Sequence, residues 1–346
     1  MKWKWTFCFL LFTVRFSDTR AQTPVLDHDT SYYRSYRDHV TARIYLSRKY
    51  TILRFDPPGT LSKFEYNPNT SLNLGIGATY HAFTLNIGIG ISKFNPQAIR
   101  GKTRYLDLQG RFYARKWNID LLGEFYRGYY LTPKGMAASP GEIYYKRNDL
   151  TLDLIGIAFY RSLNDRCFSY QAGLLQNEWQ KKSAGSILVG GEIYYGSIHG
   201  DSVLVPSILD PDYQKQNVDK LHFFEIGPGI GYAYTLVIKQ HFFVLASATV
   251  NLAFRISRER SGFTGKYGDK FDFAPNDIIH LGLGYNTEKW CLSALWVSTR
   301  LNVKGVASDY QYGVATGNYR LLYAIRFKVN HKVRKMLEPI PSIMGK

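Results

Sequence analysis

From Leu72 to Tyr80 the apolar residues take alternate positions (Leu72, Leu74, Ile76, Ala78, Tyr80), and Asn73, Gly75, Gly77 and Thr79 fill the places between. The pattern resumes as Phe83, Leu85, Ile87, Ile89 and Ile91 against Thr84, Asn86, Gly88, Gly90 and Ser92. A period of two sends every apolar side chain to one face of an extended strand, so the pair reads as a β-hairpin with one greasy and one small, polar face. The same grammar returns in the alternate residues from Phe242 to Ile256, from Ile279 to Tyr285 and from Tyr319 to Val329. Helical periodicity is nearly absent.

Extended segments are predicted over 40–55, 71–81, 83–93, 103–115, 117–131, 149–161, 167–176, 183–198, 221–237, 241–257, 276–286, 290–302 and 317–329. Many reach the roughly 9–11 residues that a tilted strand needs to cross a bilayer. Their connections alternate between short (His81-Ala82, the turn at Lys116, Lys239-Gln240, 286–289) and long (56–70, 132–148, 199–220, 258–275, 303–316). Short turns on one side and long loops on the other mark an outer-membrane barrel. In a soluble β-sandwich or lipocalin-like barrel the polar face would be rich in Lys and Glu. Here that face is Gly, Ser, Thr and Asn with scattered charges, and Trp117, Tyr129, Trp290, Trp296, Tyr319 and Phe327 close the apolar stripes. The expected fold is all-β, a single antiparallel transmembrane β-barrel. An even strand number is expected, and the loop asymmetry followed from each end conflicts between Leu163 and Ser183. Twelve strands is the first expectation and fourteen the alternative. Leu283 is expected to face lipid and Gly284 the lumen, so Leu283→Arg should be costly and Gly284→Ser mild.

The first residues read as an address. Lys2 and Lys4 precede an apolar run from Thr6 to Val14, and Thr19-Arg20-Ala21 offers a small-residue cleavage site. The organisation expected is a signal peptide over 1–21, a periplasmic segment over 22–39, the barrel over 40–329 and a basic periplasmic tail over 330–346. Cys167 and Cys291 carry no spacing signature, and free thiols are favoured over a bridge.

Composition narrows the class further. With 27 Tyr, 21 Phe and 6 Trp the chain has enough apolar surface to order itself, which argues against disorder. No apolar run approaches the length of about 18 residues needed for a membrane helix. The net charge of +17 raises nucleic acid as a partner, but export and the lipid-facing alternation count against it. Rim residues such as Arg100, Lys102, Lys146 and Arg147 could instead meet lipopolysaccharide phosphates, and the tail His331–Lys335 inner-leaflet headgroups.

Several phrases resemble an uncharacterised barrel family of Bacteroidetes-type, Gram-negative outer membranes, domain of unknown function 4421. They are Tyr32–Tyr36, Thr41–Tyr50, Tyr66-Asn67-Pro68-Asn69, Gly101-Lys102-Thr103, Gly128-Tyr129-Tyr130, Gln180–Ser186 and Gly227–Tyr232. The resemblance spans about residues 32–330. It implies location and fold and carries no activity, so it transfers no catalytic residue.

The residues themselves offer little chemistry. There is no Walker A loop, HExxH helix or CxxC pair, and neither a cofactor nor a metal is expected. His280 lies on the polar face of its strand, but a base needs a nucleophile and an orienting acid, and sequence alone does not bring Ser247 or Asp277 to it. The informative charges are those expected on lumen faces: Arg43, Lys49, Asp107, Arg111, Asp120, Glu124, Asp153, Glu192, Glu225, Arg255, His280, Arg300, Arg320 and Arg326. Acids and bases are well mixed in this set, which favours an interlocked plug over an open aqueous path. The reading is an outer-membrane barrel of structural or narrow-channel type with a lumen partly plugged by charge, in contact with outer-membrane lipids and lipopolysaccharide. The alternatives are a lipid-modifying barrel enzyme and a binding or assembly component working through its loops; a non-enzyme is favoured.

Overall fold

The computed structural model describes residues 28–59, 61–81, 83–91, 97–210, 217–306 and 310–328. The expected signal peptide and the basic tail lie outside the described residues. The elements are β1 (Tyr33–Ser35), β2 (His39–Asp56), β3 (Phe64–Asn67), β4 (Leu72–Tyr80), β5 (Phe83–Ile91), α1 (Gln97–Arg100), β6 (Arg104–Tyr113), β7 (Trp117–Thr132) and β8 (Lys146–Ser162). They continue with α2 (Tyr170–Leu174), β9 (Glu178–Gln180), β10 (Ala184–His199), β11 (Val218–Ile238), β12 (Phe242–Ser261), β13 (Tyr267–Asn286), β14 (Trp290–Lys304) and β15 (Gln311–Lys328).

The strands form a closed antiparallel barrel. Ten of them make the hydrogen-bonded ring: β2, β3, β7, β8 and β10 through β15, with β15 pairing β2 to close it. The short β3 bridges Leu53 of β2 to Leu131 of β7 through Tyr66. Below that bridge β4 and β5 extend from β2, and β6 pairs with β7, outside the ring. The wall thus holds twelve long strands, as expected, but it closes through ten. Gly128 sits where β7 exchanges β6 for β3, at φ +92, and a Cβ there would stand 2.3 Å from the Lys102 carbonyl oxygen. Only a residue without a side chain fits that bulge.

The stretch from Leu163 to Ser183 explains the conflict in the strand count. No strand runs over 167–176; the chain turns inward as α2 and β9 and fills the short-turn mouth. Ser169 caps α2 by accepting from the Ala172 amide, and β9 pairs with β1 of the N-terminal segment. Every residue of α2 is buried, packed with Phe168, Leu175, Leu245 and Leu295. The turns hold this plug from below: Asn177 donates to the His81 carbonyl at 3.2 Å, Trp179 Nε1 to Gln240 at 2.8 Å, and Arg115 pairs with Asp165 at 2.8 Å.

The opposite, long-loop end has a hydrophobic core of its own. Leu53, Phe55, Phe64, Tyr66, Leu150, Leu152, Leu154, Leu204, Val205, Leu301, Val303 and Tyr312 are buried together there. Around the short-turn half the large apolar side chains point outward and are exposed, among them Ile76, Ile87, Leu121, Phe159, Val244, Leu283 and Leu321. This is the lipid-facing belt of a transmembrane barrel. Cys167 and Cys291 are both free thiols.

Candidate functional site

Between plug and upper core the lumen is polar, and alternation is what puts the charges there. Inward positions are odd on β2, β6, β11 and β12 and even on β7 up to Tyr126 and on β10, β13 and β15. Twelve of the fourteen expected lumen residues therefore face inward.

They fall into four groups. Arg255 donates through Nε to Glu225 at 2.7 Å and lies 3.5 Å from Asp272, while Asn276 Nδ2 donates to both Glu192 (2.6 Å) and Glu225 (2.7 Å). Across the lumen, Lys49 Nζ meets Asp107 at 2.6 Å, Tyr126 donates to the same carboxylate at 2.7 Å, and Glu124 accepts from Thr51 (2.6 Å), Gln109 (3.3 Å) and Thr316. The third group centres on Asp120, which accepts from Tyr113 at 2.7 Å and has Arg111 at 3.6 Å and His280 Nε2 at 3.8 Å. The last consists of Arg43 and Arg326, which staple the plug to the wall. Arg43 donates to Thr79 and to the Leu175 carbonyl at 2.9 Å; Arg326 donates to Gln176 (2.6 Å), Thr287 (2.5 Å) and Asn286 (2.8 Å). Arg320 stands apart, its guanidinium 4.7 Å from the centre of the Tyr45 ring.

Two expected lumen residues face outward. On β8 the inward positions of the long-loop half are Leu150, Leu152 and Leu154, which puts Asp153 on the outer surface. On β14 Leu301 and Val303 point inward, and Arg300 lies outside, 3.9 Å from Asp277. In both cases an apolar stripe that reads as lipid-facing belongs to the upper core. A charge is cheap on the outer surface only where that surface meets water or headgroups.

The uncharged partners are the residues that a search for charges overlooks: Thr51, Gln109, Tyr113, Tyr126, Asn276 and Thr316. Their inward parity is legible on their strands, except for Thr316, which the pattern leaves in a long connection and the structure places on β15. Tyr170 is not, because its segment reads as a strand. Its hydroxyl donates to Ser247 at 2.8 Å and lies 2.6 Å from His280 Nδ1. Ser247 and His280 are direct partners across β12 and β13, so the serine and histidine do meet, but with a tyrosine hydroxyl between them. The space lined by Arg111, Asp120 and His280 measures about 30 Å³, which admits a water molecule and not a lipid ester. Asp277 belongs to the outer surface and orients nothing here. Among the rim cations, Arg147 is committed to Asp149 at 2.8 Å and to the Val203 carbonyl at 2.7 Å, and Lys146 pairs with Glu142 at 2.9 Å.

No curated protein matches the chain. Among solved structures it is similar to the outer membrane protease OmpT of Escherichia coli, at 10% identity over 86% of this chain and 98% of that one, with a TM-score of 0.38. The β domain of the Bordetella autotransporter BrkA follows at 9% identity, 84% and 99% coverage and a TM-score of 0.32. The Pseudomonas putida toluene transporter TodX stands at 9% identity, 83% and 89% coverage and a TM-score of 0.23. Likenesses this remote carry no information on activity. A family match is far more extensive, running over residues 27–327, and the chain belongs to the domain of unknown function 4421 family.

Proposed function

We propose that the protein is an outer-membrane barrel whose axial path is sealed, with a structural role in the membrane and no steady conductance. The observation that carries this is that the axial path is blocked at both mouths and at a charged layer between them. The plug occupies the short-turn mouth, an apolar core occupies the long-loop end, and between them Arg255 is fully buried among carboxylates. An ion crossing this path would have to separate paired charges in a dry space, at a cost of several kcal/mol each. Outer-membrane placement is supported by the belt of outward Ile, Leu, Phe and Val and by the export signal expected at the N-terminus. Outer-membrane lipids and lipopolysaccharide are the partners such a belt and a basic rim would meet. The lipid-modifying alternative is less well supported, because Ser247, Tyr170 and His280 are buried beside a space of about 30 Å³.

The test is single-channel recording of the purified full chain in planar bilayers. The parent should be silent, and Glu225→Ala should lower thermal stability and raise conductance together, since the stranded Arg255 is most cheaply relieved by admitting water. A parent that conducts strongly, with the substitution altering ion selectivity alone, rejects the sealed lumen in favour of a channel.

A further inference from the structure

Among the described residues the wall is left unzipped between β5 and β6, which makes a lateral opening. β5 and β6 are successive strands on the same stretch of wall, yet among the described residues no ladder joins them. Above them the wall is stitched shut. The Asn69 amide donates to Thr103 Oγ1 at 2.7 Å, Asn69 Nδ2 to the Gly101 carbonyl at 2.8 Å, and Thr103 Oγ1 to the Gly128 carbonyl at 2.7 Å. The ring closes at that height through β3, so nothing in the fold compels β5 and β6 to zip together below.

Between the two strands lies a cavity of about 560 Å³, a size typical of ligand sites. Its lining crosses the wall. Ile87 and Leu108 are outward residues of the belt, whereas Lys49, Asp107, Gln109 and Arg320 are inward ones. Unpaired strand edges in hydrocarbon are costly and persist only where they border a polar cavity or a partner. The charge in the cavity is also unbalanced. Lys49 is neutralised by Asp107 at 2.6 Å, but among the described residues no carboxylate is within ion-pair reach of Arg320, and its buried Nε has no hydrogen-bond partner.

We propose that the notch between β5 and β6 binds an amphiphile with an anionic head, taken sideways from the membrane, with the head at Arg320 and the acyl chain leaving between Ile87 and Leu108. A carboxylate or phosphate supplies the acceptor that the guanidinium lacks and forms charge-assisted hydrogen bonds with it. The alkyl chain covers the strand edges and remains in hydrocarbon, so the ligand never has to enter the sealed axis. The inference rests on the membrane placement of the barrel and not on its being non-conducting.

The experiment uses the detergent-solubilised full chain and measures binding of radiolabelled oleate and of dioleoyl phosphatidylglycerol, with oleyl alcohol and dioleoyl phosphatidylcholine as competitors. Saturable binding of one molecule per chain is expected, displaced by the anionic amphiphiles and not by the alcohol or the zwitterionic lipid. Preference between oleate and the phospholipid tells a free carboxylate from a headgroup phosphate. Arg320→Gln should weaken binding by about tenfold or more, the worth of one charged hydrogen bond. Gly88→Leu, which puts a side chain into the cavity beside the Tyr45 hydroxyl, should also weaken it, and Arg300→Gln on the outer surface should leave it unchanged. Equal binding by the parent and the Gly88 and Arg320 variants, or equal competition by oleyl alcohol, overturns the proposal. If Arg320→Gln fails to fold, Gly88→Leu and the alcohol competition decide alone. Planar-bilayer conductance is a separate readout, so a conducting barrel that binds oleate rejects only the sealed lumen.

Discussion

On β8 and β14 the two ends of each strand follow opposite rules. In the short-turn half β8 turns Ile155 and Phe159 outward and Ala158 and Tyr160 inward, and β14 turns Leu292 outward and Ser293 inward. Toward the long loops the same strands put Leu152, Leu154, Leu301 and Val303 inside and Asp153, Arg300, Asn302 and Lys304 outside. No break in period two marks the change. What changes is the medium beyond the wall: hydrocarbon rewards apolar side chains outside, whereas water rewards them inside. On these strands the long-loop end is built as in a soluble β-barrel, against a core of its own, whereas toward the same loops β12 and β13 keep Ile256, Phe271 and Phe273 outside and Arg255 and Asp272 inside, as a membrane barrel does.

Breaking each rule in turn should give a graded series of stability losses. The largest is expected from the lumen pairs. Glu225→Ala strands Arg255 in the dry interior and should cost about 3–5 kcal/mol in urea unfolding of the folded barrel; a loss below 1 kcal/mol would show that water already reaches that layer.

Next comes the upper core, where Leu152→Ala should cost about 2–5 kcal/mol. The same truncation at the outward Leu281 removes no close-packed core contact and should cost clearly less; equal losses would erase the distinction between the halves. Introducing a charge on the outer face probes the medium directly. Leu283→Arg should cost about 2–4 kcal/mol if that residue is near the midplane of the bilayer, whereas Asn302→Arg should cost no more than about 1 kcal/mol, the worth of the hydrogen bond its side chain gives the Pro275 carbonyl. Similar penalties at both sites, measured by unfolding from liposomes, would place the long-loop half in lipid as well.

The smallest effect is expected at Asp269→Ala, which removes the partner of Arg258 at 2.5 Å. Both groups are exposed on the outer wall, where solvent and salt screen the attraction and such pairs contribute little. High salt should leave the difference between this variant and its parent near zero.

One expectation about the inner face is revised by packing. Gly284 does face inward, but a Cβ there would stand 2.3 Å from the Leu292 carbonyl oxygen and 2.9 Å from Phe243. Gly284→Ser must displace backbone, so inward direction by itself does not make a substitution mild.

Much of the site was legible because strands expose their parity. Lys49, Asp107, Arg111, Asp120, Glu124, Glu192, Glu225, Arg255 and His280 occupy the lumen as alternation predicts. Asp153 and Arg300 do not, since an apolar stripe has the same period whichever side holds the hydrophobic medium. The plug was illegible for a related reason. Phe168, Tyr170, Ala172 and Leu174 alternate like a strand, yet they are buried as a short helix and its approach.

The sequence by itself determined that the chain is a barrel of long antiparallel strands, which face of most of them carries charge, and where the short turns fall. These are local consequences of a two-residue repeat and of glycine, asparagine and charge at its ends. Only the tertiary structure decided that β3 closes the ring at ten, that no ladder joins β5 and β6 among the described residues, that residues 163–183 fold inward, and that β8 and β14 reverse their polarity toward the loops. Each of these depends on which distant strand or which solvent a residue meets. The free energy of a side chain is set by that meeting, and the order of residues along the chain does not contain it.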